Sequence, residues 1–408
     1  MLNNRSAGMA FIFITLLIDV LGFGLIIPVL PQLVTSLTHG QASANLFGLL
    51  LACYGLMQFV FAPVLGSLSD RYGRRPVLLV SLLFTAIDYV IMANAPTVGW
   101  LFVGRILAGI TGASYTTATA YIADVSAPEK RAQNFGVIGA AFGVGFILGP
   151  AAGGFLGGFG LRCPFMAAAL LSLVNCLYGL LVLPESLAPE HRRQFSMKSA
   201  NPLGALRIVA RYHWVLALAG CVGLQSLAQQ ALQSTWVLYT TYRFQWSVKD
   251  NGFSLALLGM ASVVVQVGLI RVLIPKLGER GAIIWGLLFN FLGFIGFALA
   301  PNSAGLIGVM LVWSLSFVAG PATQSLISKQ YGPDEQGAIQ GALTSLQSLT
   351  AIVGPILSTS VYAYFTSPDA PIQAPSSAFI LGAVLIGLSG ILAMNAFRPH
   401  PAQAATET

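Results

Sequence analysis

Two aspartates sit deep inside apolar stretches of this chain, Asp19 in the first and Asp88 in the third, and one arginine, Arg105, lies within the fourth. A charge held in hydrocarbon costs several kcal/mol, so such residues are rare and ordinarily mark an ion or substrate path. A buried carboxylate can take up and release a proton, and a lone arginine in hydrocarbon needs a partner. Asp88 and Asp19 are both candidates for that partner, and the sequence leaves the choice open. The expectation is proton coupling through Asp88, Asp19 and Arg105. The plainer alternatives are a fixed ion pair that only ties helices together and, for Asp19, a polar group satisfied by neighbouring helices.

A second set of polar groups is neutral. Gln225, Gln229 and Gln233 recur every four residues and so form one stripe on a helix. Together with Trp236, Asn290 and Gln324 they are the candidate substrate contacts. Enzyme chemistry is not expected. His39, His191, His213 and His400 sit near span ends or in loops, and Cys53, Cys163, Cys176 and Cys221 have no metal or redox spacing. No nucleophile elbow or phosphate loop stands out. Neither catalytic residues, a metal site nor a resident cofactor is therefore assigned.

The elements that must position these groups are membrane helices. The 408 residues are 56% hydrophobic and only 8% charged, with mean hydropathy +0.79. Soluble domains carry about 25% charged residues. Apolar runs fall at 8–34, 45–66, 76–94, 98–122, 134–158, 164–184, 214–241, 251–273, 281–299, 304–327, 337–362 and 377–397. Each is long enough for a helix to span hydrocarbon, which takes roughly 20 residues. The runs are continuous rather than alternating, which argues against a β-barrel. The first run is too long for a cleaved signal and carries Asp19. The net charge of +7 does not point to nucleic acid: of 20 Lys and Arg, 16 fall on alternate loops. Only Arg162, Arg243 and Lys249 lie on the opposite loops. This positive-inside pattern predicts two cytoplasmic termini.

The chain repeats at an offset of 205: Gly73 matches Gly278, Arg75 matches Arg280, Pro96 matches Pro301, and Gly149-Pro150 matches Gly354-Pro355. The expected organisation is a six-helix half over 1–184, a basic linker over 185–211, a second half over 212–400 and a tail over 401–408. Parallel repeats of this kind belong to secondary transporters, with a site between the halves near the midplane. The halves are chemically unequal. Under the offset Asp19 faces Leu224, Asp88 faces Gly293 and Arg105 faces Met310. The first half should handle protons and the second contribute to substrate contact.

The segment Gly66-Ser-Leu-Ser-Asp70-Arg71-Tyr-Gly73-Arg74-Arg75 resembles the signature loop between helices two and three of the major facilitator superfamily. By that resemblance Gly66, Asp70, Arg71, Gly73, Arg74 and Arg75 form a cytoplasmic gate, with Asp124 and Arg131 as partners. Arg105-Ile-Leu-Ala-Gly109 resembles the helix-four signature of the same family, whose arginine is implicated in proton movement. Gly145, Gly149, Pro150, Gly153 and Gly154 resemble the antiporter signature of its drug exporters. Glycines at 145, 149, 153 and 157 also make a smooth ridge for close helix packing, and Pro150 should bend the helix.

From about residue 8 to 365 the likeness narrows to the bacterial tetracycline efflux proteins. Ile18-Asp19-Val-Leu-Gly-Phe-Gly24, Asp88-Tyr89, Gly109-Ile-Thr-Gly-Ala, Trp236-Val-Leu-Tyr and Gln340-Gly341-Ala-Leu carry it. Those exporters have a further aspartate in helix nine where this chain has Asn290. An amide neither carries a proton nor neutralises a cation.

The resulting expectation is an all-α membrane protein of 12 transmembrane helices in two pseudo-symmetric halves, exporting an amphiphilic drug by proton antiport with alternating access. The alternatives are a proton-coupled importer of a small nutrient and a non-transporting sensor. The implied partners are a small drug-like molecule, protons and the lipid bilayer, with no nucleic acid. The chain is expected to act as a monomer in a bacterial inner membrane. The proton gradient is its expected energy source, and the resemblance leaves room for a metal-chelated substrate.

Overall fold

The computed structural model describes residues 2–40, 43–112, 114–126, 131–192, 213–329 and 333–396, and every regular element among them is helical. In chain order these are α1 (Leu2–Ile26), α2 (Leu30–Leu37), α3 (Ser43–Tyr72), α4 (Arg74–Ala93), α5 (Val98–Thr111), α6 (Ser114–Val125), α7 (Arg131–Gly157) and α8 (Cys163–Val182). There follow α9 (His213–Phe244), α10 (Val248–Val264), α11 (Ile270–Leu299), α12 (Ser303–Trp313), α13 (Ala319–Lys329), α14 (Pro333–Thr366) and α15 (Ser377–Ala396). Nine stretches among the described residues are long and apolar enough to cross a bilayer, and the bent α1–α2 pair makes up to 10. Gly278 breaks the longest of them, Val248–Leu299, into two spans. The glutamine-bearing α9 then completes the twelve expected from the apolar runs.

Four of those runs are not single straight helices. The first bends by 42° between α1 and α2, because Pro28 offers no amide hydrogen to continue the ladder. Pro31 sits in the first turn of α2, where a missing donor is harmless. The fourth run divides into α5 and α6 near Gly112. The eighth contains a π turn at Val265–Leu269 and the tenth a 3-10 turn at Ser314–Val318. α7 continues through Pro150, and α14 through Pro355, each as one helix.

The chain packs as two units, Met1–Pro202 with Trp236–Met260, and Leu203–Thr235 with Ala261–Thr408. In the first, α1 lies against α7 and α8, α3 against α5, and α4 against α5 and α8. One core of this unit gathers Leu25, Val29, Leu33, Phe47, Met92 and Phe165. A second, toward the other end of α1, gathers Phe11, Leu16, Leu78, Tyr121 and Ile122. In the second unit, α11 packs on α12, α13 and α15. Its core is aromatic: Phe297 lies 5.7 Å from Trp313 and 5.7 Å from Phe379, centroid to centroid.

The repeat is visible in the backbone of each unit. Gly73 has φ 105° and ψ 159°, and Gly278 has φ 68° and ψ 172°. Both occupy a region that glycine alone enters cheaply. Thr97 and Asn302, the residues that precede α5 and α12, share extended geometry. Gly149 of α7 packs on Gly24 of α1, and Gly354 of α14 packs on Gln230 of α9.

The two turn glycines differ in what surrounds them. A methyl group at Gly73 would strike the Glu185 carboxylate, whereas nothing lies within 4 Å of one at Gly278. Gly278→Ala should therefore cost only the backbone strain, about 1–3 kcal/mol, and Gly73→Ala more. Thermal unfolding of the purified protein in detergent checks the order. Equal losses would mean that Glu185 does not constrain the turn.

Candidate functional site

α4 and α5 are antiparallel neighbours joined by a short connection after Asn94. With a rise of 1.5 Å per residue, Asp88 and Arg105 each lie about 10 Å along their helix from that connection. They meet there. Arg105 Nη2 donates to Asp88 Oδ2 at 3.0 Å, and the two residues are 3% and 1% exposed. Arg105 Nη2 also approaches Met92 Sδ at 2.8 Å. Asp88 Oδ1 and Arg105 Nε are buried without a hydrogen-bond partner. Close approach depends on Gly104, where a methyl group would lie 2.5 Å from Asp88 Oδ1. The choice that the sequence left open is thus settled: Asp88 is the ion-pair partner of Arg105.

Two tyrosines complete the cluster. The Arg105 guanidinium carbon lies 5.6 Å from the centre of the Tyr54 ring, within cation–π range. The Tyr54 hydroxyl accepts from Gln58 Nε2 at 3.3 Å. Tyr89 is buried beside Gly22 of α1, where a methyl group would lie 3.3 Å from its hydroxyl. Asp19, half-buried on α1, lies close enough to act electrostatically on both tyrosines, as do Asp88 and Arg105. Sequence reasoning missed Tyr54 and Tyr89 because aromatic residues in apolar runs pass for packing. The glycines at 104, 109 and 112 on the facing helix were the available signal.

The expected signature loop is almost entirely helical. α3 runs to Tyr72 and α4 begins at Arg74, so Gly73 alone makes the turn. Gly66 lies inside α3, where an added methyl group would meet nothing within 4 Å, and its carbonyl accepts from Ser69 Oγ at 2.8 Å. Arg74 Nη1 pairs with Asp70 at 2.5 Å, and Arg74 Nε with Asp124 at 3.1 Å. Arg75 Nη2 donates to the Leu180 carbonyl at 2.8 Å, and Arg71 stacks on Tyr72. The start of α4 is not capped by Asp70. Glu185 takes that place, accepting from the amides of Arg74 at 2.8 Å and Arg75 at 3.2 Å. The same carboxylate accepts from the amides of Ser186 and Leu187. Glu185 was missed because it was read as the first residue of the linker. The side chain of Arg131 lies outside the described residues.

The glycine ridge of α7 lies along α1. Methyl groups at Gly145, Gly149 and Gly153 would collide with Val20, Gly24 and Leu25 respectively. Gly154 and the Pro150 carbonyl face another helix, α10, at Gly252, and Gly157 meets Val248 there. In α9, Gln225 bonds Cys221 Sγ at 3.2 Å, Gln229 is half-buried and Gln233 is exposed. Trp236 is buried and donates to Ser254 Oγ at 3.2 Å, so it is held by α10. Asn290 Oδ1 accepts from Trp313 Nε1 at 2.8 Å. The side chain of Gln324 lies outside the described residues. No group of three His, Cys, Asp or Glu among the described residues could hold a metal ion.

Comparisons with known proteins identify the family and the fold. The family model "Major Facilitator Superfamily" matches residues 12–355. The tetracycline resistance protein, class C, of Escherichia coli is 42% identical over 349 residues, covering 86% of this chain and 88% of that one. Multidrug resistance protein 2 of Bacillus subtilis is 31% identical over 361 residues, covering 85% and 87%. The solved nucleoside transporter NupG has a TM-score of 0.79 at 15% identity, covering 96% of this chain and 100% of that one, a likeness of fold. The chain belongs to the major facilitator superfamily.

Removing one partner of a buried pair strands the other charge, at a cost of about 3–5 kcal/mol. Arg105→Met should therefore unfold far more readily than the native protein in detergent. Adding Asp88→Asn to it should recover most of the loss. Equal stabilities for the single and double variants would show that Asp88 is not stranded.

Proposed function

We propose that this chain is a drug:proton antiporter of a bacterial cytoplasmic membrane, exporting an amphiphilic, tetracycline-like molecule by alternating access. The observation that carries the reading is the buried Asp88–Arg105 pair, with its unsatisfied carboxylate oxygen, between helices of the first unit. The relatives named for tetracycline and multidrug resistance support the substrate class.

A proton reaching Asp88 removes the charge that holds Arg105. The pair then loses its Coulombic attraction, and the free energies of two gate states change by different amounts, which coupling requires. Each inward proton also draws on the membrane potential, about 2.3 kcal/mol per 100 mV. Asp19 lies within reach of the same field. Gln225, Gln229, Gln233 and Asn290 offer neutral hydrogen-bonding groups to the drug, and the charged turn around Arg74 serves as the gate. The excess of basic residues on alternate loops supports two cytoplasmic termini. The protein works as a monomer, and a proton gradient is its energy source.

In proteoliposomes with an inwardly directed proton gradient, Asp88→Asn should reduce uphill drug export at least tenfold while drug binding persists. Normal pumping by that variant would remove Asp88 from the coupling path. Asn290→Asp should raise export of tetracycline presented with a divalent cation, because Trp313 still finds an acceptor and a negative charge is restored at the position where the related exporters have aspartate. No gain, with the variant folded, would rule out the missing carboxylate as the limit on that substrate.

A further inference from the structure

The Arg105 guanidinium has two neighbours of opposite kind. On one side is the Asp88 carboxylate, bonded through Nη2 at 3.0 Å. On the other is the face of Tyr54, 5.6 Å from the guanidinium carbon. Tyr54 is held in place from three directions. Its hydroxyl takes a hydrogen bond from Gln58, which also approaches the Gly112 carbonyl at 3.5 Å. Its ring packs on Phe23 of α1, at 6.5 Å between centroids. Its carbonyl would lie 2.7 Å from a methyl group at Gly109, so α3 and α5 are nearly in backbone contact there. The ring and hydroxyl contacts tie Tyr54 to Phe23 of α1 and to Gln58 of its own helix.

We propose that Tyr54 is the second seat of Arg105, a positioning residue that holds the guanidinium by its ring face whenever Asp88 carries a proton. The inference rests on Asp88 being the proton carrier. An arginine freed from its carboxylate in a dry interior has no water to accept its hydrogen bonds. A fixed aromatic face gives it an electrostatic partner that needs no proton and no movement of helix backbone. Protonation then leaves Arg105 with a partner it already touches rather than creating an unpaired charge. Among the described residues, Cys53 on α3 and Tyr89 on α4 also feel the Arg105 charge, and Asp19 on α1 acts on Tyr54 and Tyr89. On α3, Tyr54 has its ring face toward the guanidinium.

The test is proton-driven drug export in proteoliposomes as a function of pH, with Tyr54→Leu, Tyr54→Phe and Asp88→Asn. Loss of the ring destabilises the proton-loaded state. For Tyr54→Leu the pH of half-maximal export should therefore move down by about one unit, the equivalent of a desolvated cation–π contact. Uphill export should fall about tenfold. Tyr54→Phe keeps the ring face and should stay within twofold of the native protein with an unmoved midpoint. Should Tyr54→Leu fail to reach the membrane, Tyr54→Met serves the same purpose. An unmoved midpoint in the Leu or Met variant overturns the proposal, as does an equal defect in Tyr54→Phe. Normal pumping by Asp88→Asn would instead defeat the underlying assignment of the proton carrier, so the two failures are distinguishable.

Discussion

The Asp88–Arg105 pair is the constraint around which the first unit is built. Separating either charge from water costs several kcal/mol, and mutual attraction offsets this only at close range. Range is set by backbone, and backbone by glycine. Gly104 lets α5 approach Asp88, while Gly109 lets α3 approach α5. A single added methyl at Gly104 would collide with the carboxylate, 2.5 Å from Asp88 Oδ1. Gly104 is therefore tied to the ion pair, and Gly109 to the α3–α5 contact.

The second unit follows the same backbone plan with different contents. Gly73 and Gly278 make equivalent turns, and α14 meets α9 through Gly354 as α7 meets α1 through Gly149. Yet the position equivalent to Asp88 is Gly293, and the space beside it is filled by the Trp313 indole. An aromatic core of Phe294, Phe297, Trp313 and Phe379 replaces the charge cluster. Asn290 is tied into that core by accepting from the Trp313 indole N–H. Duplication preserved helix directions and turns, while the chemistry diverged completely.

What was legible in the sequence follows from this. Span number, repeat register and the location of buried charge were readable, because each depends on composition or on strict spacing. The breaks at Pro28 and Gly278 were signalled by the residues themselves, yet the bend of the first run was not deduced, since proline inside a membrane helix often leaves it continuous, as Pro150 does here. The identity of the Arg105 partner needed the α4–α5 connection, whose length sets both residues at similar depth. Glu185 was unreadable for a different reason. Its role depends on α8 ending beside the start of α4, a tertiary fact with no local pattern.

α4 joins the two charged regions of the first unit. Its first residue, Arg74, is bound by Asp70 and Asp124, and its first amides by Glu185. Asp88 follows fourteen residues later on the same helix, about 21 Å away along the axis. A helix with one end fixed by three carboxylates cannot slide freely when a charge near its other end is neutralised. Any adjustment at Asp88 must either be absorbed locally, by Arg105 and the groups around it, or be felt at the turn as a pull on Arg74. The continuous connection through α4 makes the second route available without any intervening loop, and the Tyr54 ring beside Arg105 limits how much the first can absorb.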